Sequence, residues 1–281
     1  MHPRVLPEIP PDRAEDLHHL DIVERADLNL FMAGNLFMVM PDLIAAFRQL
    51  HPEVERVFYE TLPPGIELQQ ILAGGAVFRG RRLAVYPDLY SSVSGAAMET
   101  LVDAGHLRPG DYRPYLHNRL TLMVPQGNPA RVRRVADLGG DAVRISQPDP
   151  RHEDIGHHIR NMYREAGGEE LVRRIMEEKR AEGTTVYTIV HHRESPLRIA
   201  RRTVDVAPVW ATEAVHARAT GLPFEEINPG SNLDQRSKVV YYACRLDRAP
   251  HPENAEKFWG FLRSKTAWDI FGSHGFLPHE P

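Results

Sequence analysis

The chain of 281 residues contains a single cysteine, Cys244. No disulfide can close within it, and zinc motifs built on paired cysteines are excluded. No run approaches the roughly 18 apolar residues that a helix needs to cross a bilayer. The first 26 residues are polar, charged and Pro-rich, with no apolar signal core. The sequence therefore reads either as a chain from which an export signal has been removed or as a cytosolic one. There is no basic excess either: 34 Lys and Arg stand against 38 Asp and Glu, for a net charge of -4. The two signs are interleaved along the whole length, so no basic stripe exists for a polyphosphate and nucleic acid is not an expected partner. Also missing are H-E-x-x-H, G-x-S-x-G and a phosphate-binding loop, which leaves no motif-defined hydrolase or nucleotide site.

What is present is ordinary for a globular protein, 42% hydrophobic and 26% charged, apart from a high count of 15 His. A length of 281 residues suits two lobes of moderate size. Residues 1–26, with Pro3, Pro7, Pro10 and Pro11, read as an extended arm. A repeating unit of strand, tight turn and helix follows. Leu28 to Met32 form a strand-like run that stops at Ala33-Gly34-Asn35, after which Leu36, Val39, Met40, Leu43, Phe47 and Leu50 recur at helical spacing. Val57, Phe58 and Tyr59 make a strand, Pro63-Pro64-Gly65 a turn, and Ile66, Leu68, Ile71 and Leu72 a helix closed by Gly74-Gly75. The pattern returns at Val143 to Ser146 before a helix through Ile155, Ile159 and Met162. It recurs at 185–190 before a helix capped by Ser195 with Pro196 at its first position, and at 204–210 before a helix that starts near Ala211-Thr212. This alternation predicts an α/β fold with mainly parallel sheets. Two β-rich stretches, 116–124 and 239–246, read as crossings between lobes. Lobe 1 is then 27–116 with 241–281, including a helical tail from Pro252 to Phe271, and lobe 2 is 117–240.

Ligands of such sheets sit beyond the carboxyl ends of the strands, where helix N-termini offer unpaired N–H groups. Asn35, Pro64-Gly65, the turn from His152 to Ile155, His192 and Trp210 all occupy strand-to-helix turns.

The layout and its words resemble the type II periplasmic binding protein superfamily, and within it the molybdate-binding proteins of ABC importers. The words are Phe31-Met32-Ala33-Gly34-Asn35-Leu36 with Leu43-Ile44-Ala45-Ala46-Phe47; Gln70-Ile71-Leu72-Ala73-Gly74; Asn118-Arg119-Leu120 with Val124-Pro125-Gln126-Gly127-Asn128-Pro129; Arg144-Ile145 with Asp149-Pro150; and Phe258-Trp259-Gly260-Phe261-Leu262 with Gly275-Phe276-Leu277-Pro278. Their order and spacing cover the chain from about Asp27 to its end. The resemblance implies a two-lobed fold with a ligand cleft between lobes, no catalytic residue and no cofactor. It also implies a periplasmic or cell-surface location, ABC transporter membrane subunits as partners, and a small oxyanion related to molybdate or tungstate as ligand. The family's contact positions fall on Asn35, Pro64 or Gly65, Ile155, His192 and Trp210, and their turns add Thr61, His152 and Arg193. The departures are Asn at the first place and Pro-Pro-Gly at the second, where the family uses Ser hydroxyls and backbone N–H groups. His stands at the fourth and Trp at the fifth, and the segment 76–86 is longer and more basic, with Arg79, Arg81 and Arg82.

The histidines leave a second reading open. His191, His192 and Glu194, facing the helix start at His152-Glu153-Asp154, are the residue types that hold a transition metal. His192, Arg193 and Asn35 could equally donate to an oxyanion. His157 and His158, on a helix, are expected at the solvated surface. A His/carboxylate metallohydrolase lacks its motif set. A transcriptional effector domain lacks room for a helix-turn-helix in the first 26 residues.

Overall fold

In the computed structural model, which describes residues 5–151, 153–189 and 193–279, the chain divides into two compact units. The first takes in residues up to 116, 240–273 and the last few from 277; the second takes in 117–239 and 274–276. Among the described residues no helix is long and apolar enough to cross a membrane.

In the first unit, Leu28–Phe31, Val57–Glu60 and Leu89–Ser92 are buried at every position, as strands covered on both faces must be. Leu28–Phe31 lies between the other two and parallel to both. Val240–Arg245 pairs antiparallel with Leu89–Ser92. The full seven-stranded order runs Leu277–Pro278, Tyr112–His117, Val240–Arg245, Leu89–Ser92, Leu28–Phe31, Val57–Glu60, Leu17–His18. Helix Met40–Leu50 buries Met40, Leu43, Ile44 and Phe47, the three-and-four spacing of one helical face. Phe47 meets Phe258 and Phe261 of helix Pro252–Leu262 at ring distances of 5.0 and 5.6 Å. A fully buried Phe of this kind stabilises the fold by about 2–3 kcal/mol. Helix Pro64–Ala73 starts on a proline, whose missing N–H has no helical acceptor to lose. It ends at Gly74, left-handed at φ 77°, whose N–H caps the Gln70 carbonyl at 2.9 Å.

The N-terminal segment is not the extended arm that its prolines suggest. It holds two short strands, Glu8–Ile9 and Leu17–His18, and two 3-10 turns, Pro11–Asp16 and Leu20–Arg25. Leu17–His18 pairs antiparallel with Val57–Glu60, and the basic stretch around Arg79 accounts for Glu8–Ile9. Ala76–Phe78 and Arg81–Leu83 form a hairpin whose two central residues, Arg79 at φ 49° and Gly80 at φ 75°, both take the left-handed form that a tight two-residue hairpin needs. Glu8–Ile9 adds to that hairpin as a parallel strand, Ile9 is buried beneath it, and Arg81 pairs with Glu24 at 3.1 Å. Arm and insertion complete each other.

The second unit departs from the expected parallel arrangement. Leu120–Pro125 is flanked by Ala207–Trp210 and Phe224–Ile227, both antiparallel to it. Ile145–Gln147 and Thr185–Tyr187 form a parallel pair, linked to the trio by a bridge from Ile145 to Val206. Phe224–Ile227 carries two Glu and buries little, so no apolar pattern announces it. The expected single strand over 116–124 is two, Tyr112–His117 and Leu120–Pro125. The break is made by buried Asn118, whose side chain accepts the Arg119 N–H at 2.8 Å and donates to Thr212 at 3.2 Å. Helix Asp154–Arg173 is interrupted at Gly167 and Gly168. Ser195 is not the cap of its helix, Glu194–Ala200, but the second residue, and its buried hydroxyl pairs with Ser146 at 2.9 Å; Arg193 holds the cap position.

Candidate functional site

The three parallel strands of the first unit end in turns at 32–36, 61–65 and 93–95. The first two press together: a Cβ on Gly34 would lie 3.2 Å from the Thr61 carbonyl oxygen and 3.3 Å from that of Leu62, so a bare backbone is needed there. Asn35 sits half-buried in the 3-10 turn Gly34–Leu36, and its amide donates to the Tyr241 hydroxyl. That bond fixes the side chain, while its carbonyl oxygen and its backbone N–H have no partner among the described residues. Thr61 is fully buried, its N–H given to the Asp16 carbonyl at 2.8 Å and its hydroxyl 3.3 Å from His18. It supports the turn. Pro64 has no N–H, and its carbonyl accepts the Tyr90 hydroxyl at 3.0 Å. Gly65, exposed and with open space where a Cβ would stand, presents the orphan donor of that helix start.

The third turn was not singled out from the sequence. Ser92 is buried and accepts the Ser94 N–H at 3.1 Å. Ser94 is the N-cap of helix Gly95–Asp103, and its half-buried hydroxyl makes no capping bond and has no partner among the described residues. Ser92-Val93-Ser94-Gly95 ahead of an apolar helical run is an N-cap signature and could have marked the position. A Ser hydroxyl without a partner among the described residues thus stands one strand further on from the two turns read in the sequence.

In the second unit the corresponding ends are the starts of helices Asp154–Arg173 and Ala211–Ala219. Ile155, buried, is the second residue of the first, and the next residue, Gly156, packs so tightly that a Cβ would fall 2.6 Å from the Pro150 backbone. Trp210 is 2% exposed and caps the second helix. Its ring lies 5.7 Å from that of His158. His158 is thus not at the solvated surface as its sequence position suggested, whereas His157 is exposed. Burial pushes the His158 imidazole down to about 4, and its Nδ1 is buried without a hydrogen-bond partner. Arg119 was also missed. The ladder sets Leu120 opposite Trp210, so Arg119 falls beside Ala211, whose N–H it accepts at 2.8 Å. Of the described arginines shielded from solvent, Arg13, Arg174 and Arg198 each have a carboxylate, and Arg193 is also engaged. Arg119, half-buried, has no ion pair or side-chain hydrogen bond among the described residues.

His152, His191 and His192 lie outside the described residues. Glu194, the third member of the metal set, accepts the Ile189 N–H at 2.9 Å and pairs with Arg198 at 2.7 Å. Among the described residues no group of three or more His, Cys, Asp or Glu is placed to hold a metal.

The family profile of bacterial extracellular solute-binding proteins matches residues 28–277. The chain belongs to that family. Three solved structures show the same fold as this solute-binding protein. The periplasmic molybdate-binding protein of Azotobacter vinelandii is 18% identical, with a TM-score of 0.71 over 90% of this chain and 100% of its own. The sulfate-binding protein SubI of Mycobacterium tuberculosis is 17% identical, with 0.72 over 90% and 87%. Iron-bound HitA of Pseudomonas aeruginosa is 16% identical, with 0.66 over 87% and 83%. These are type II periplasmic binding proteins, and the family is one of binding proteins rather than enzymes. No curated protein matches the chain in sequence.

Proposed function

We propose that this solute-binding protein captures a small tetrahedral oxyanion of the molybdate, tungstate or sulfate type and presents it to the membrane subunits of an ABC importer outside the cytoplasm. The observation that carries the reading is that each unit, taken by itself, presents donors at its strand-to-helix turns. Helix and turn starts at Asn35, Gly65 and Gly95 supply N–H groups in the first unit, Ser94 adds an uncommitted hydroxyl, and the Ile155 turn supplies N–H groups in the second. Helix N-termini favour anions by geometry and by dipole. Arg119 adds a full positive charge without a carboxylate to neutralise it, and a charge-assisted bond to an oxyanion is about twice as strong as a neutral one. Two carboxylates near these turns are engaged by arginines, Asp149 by Arg151 at 2.6 Å and Glu194 by Arg198.

Native mass spectrometry of protein purified without added ligand, repeated after exposure to molybdate, tungstate, sulfate and zinc, tests the reading. An oxyanion adduct of one per chain supports it. A retained divalent metal with no oxyanion adduct would replace it with the metal-binding alternative.

A further inference from the structure

Two of the first unit's turns are each bonded to a buried tyrosine. Tyr90 stands on the strand Leu89–Ser92 and Tyr241 on its antiparallel neighbour Val240–Arg245, and both are fully buried. The register sets Tyr90 opposite Cys244, so those two share a face of the sheet, and Tyr241, an odd number of residues before Cys244, lies on the other face. Tyr90 belongs to the apolar cluster that includes Ile71 and Met98, from helices Pro64–Ala73 and Gly95–Asp103. Tyr241 meets Tyr115 edge-on with ring centres 6.5 Å apart, and Tyr115 meets Trp259 and Phe271 of the C-terminal helices, each at 6.1 Å. The sheet thus reaches one turn from each of its faces. The Tyr90 hydroxyl donates to the Pro64 carbonyl at 3.0 Å. The peptide that joins Pro64 to Gly65 is planar and trans, so its C=O and its N–H point in opposite directions. Fixing the carbonyl therefore fixes the aim of the Gly65 N–H, which has no partner of its own among the described residues. Tyr241 acts on Asn35 through the side chain: its hydroxyl accepts one N–H of the planar amide, and the amide cannot turn without losing that bond.

We propose that Tyr90 and Tyr241 are positioning residues of the anion site: neither touches the ligand, and each sets the direction of one donor group, Tyr90 that of the Gly65 N–H and Tyr241 that of the Asn35 side chain. The inference rests on the oxyanion reading above. A donor held in its bound direction before the ligand arrives has little ordering left to lose on binding. Buried tyrosines suit the task, because a ring locked by packing carries its hydroxyl on a rigid stem and places it at a hydrogen-bond partner.

Calorimetric titration with molybdate and with sulfate compares wild type with Tyr90→Phe and Tyr241→Phe, which keep the ring and remove one oxygen. Each variant should lose affinity about five- to tenfold, the worth of one hydrogen bond. Tyr115→Phe is the control. Its hydroxyl bonds Ser91 inside the strand at 2.7 Å rather than a turn, so this variant should lose comparable thermal stability and keep wild-type affinity. A double-mutant cycle separates positioning from stability: in an Asn35→Ala background Tyr241→Phe should cost no further affinity. Nitrogen NMR of the ligand-free protein adds a readout without oxyanion. The Gly65 amide resonance should move in Tyr90→Phe and the Asn35 side-chain amide resonance in Tyr241→Phe, and both should stay in place in Tyr115→Phe. Wild-type affinity in either turn variant, equal losses in all three variants, an additive cycle or unmoved resonances would overturn the inference. If neither oxyanion binds wild type yet the two resonances respond as stated, the oxyanion reading fails and the positioning of the two donors stands.

Discussion

Replacing Glu60 by Gln removes a proton that folding must otherwise keep. The carboxyl is fully buried and raised from its ordinary 4.5 to about 8 by that burial. The folded state binds the proton more tightly than the unfolded state does. The stability linked to it is therefore fully present below about pH 4.5, is lost as pH rises, and levels off above about 8. Each pH unit of separation corresponds to about 1.4 kcal/mol, so the limit is roughly 5 kcal/mol across the interval. Relaxation of the turn around the charge lowers the observed figure to a few kcal/mol. Gln keeps the oxygen that accepts the Gln70 amide and cannot ionise. Removing the Glu60 charge also relieves Glu67, which acts in the same direction. Urea unfolding of both proteins at about pH 5, 7 and 8.5 gives the comparison. Wild type should lose stability relative to Glu60→Gln as pH rises. A difference between the two proteins that stays constant within about 1 kcal/mol would refute the reasoning, because that is the ordinary scale of a point substitution with no linked proton.

Other outcomes follow from the same geometry. Ser94→Ala should weaken oxyanion binding by roughly tenfold, the size of one hydrogen bond to a charged group, and leave the thermal midpoint within a degree or two; calorimetry and a melt check both, and unchanged affinity removes Ser94 from the site. Gly34→Ala pushes the Asn35 turn off the Thr61–Leu62 backbone by a few tenths of an ångström and should cost about 1–3 kcal/mol of stability along with affinity; denaturation and titration that match wild type would contradict the close approach. His158, half-buried beside Trp210, should show no proton NMR inflection between about pH 5 and 8, since its imidazole stays neutral down to about 4; a transition near the ordinary 6.5 would place the ring in solvent.

Much of the fold is legible in the sequence because burial leaves a pattern. The mostly apolar and aromatic strands at 28–31 and 57–60, the three-and-four spacing of Met40–Leu50, and the Gly74 stop of the next helix are each dictated by local chemistry. What escapes is set by partners distant in the chain. Of the proline-rich first residues, Glu8–Ile9 becomes a strand because the hairpin around Gly80 offers an edge, and Leu17–His18 because Val57–Glu60 does. Phe224–Ile227 becomes a strand because Leu120–Pro125 pairs with it. At the site, turn residues such as Asn35 and Gly65 are visible because strand ends predict where donors gather. Arg119 is not, since only the register that sets Leu120 opposite Trp210 brings it to a helix start. The surroundings of Thr61 are not legible either, because its N–H goes to the Asp16 carbonyl and its hydroxyl lies 3.3 Å from His18, both far off in the chain.

The central claim, that these donors serve an oxyanion, is tested most directly by isothermal calorimetry on the metal-free chain. Molybdate, tungstate and sulfate are titrated separately at neutral pH, beside ferric and zinc ions, and each titration is repeated with Arg119→Ala. At least one oxyanion should bind with one-to-one stoichiometry at micromolar affinity or tighter, about 8 kcal/mol or more, and lose at least tenfold in the variant. Tight binding of a metal ion with no heat from any oxyanion would contradict the account.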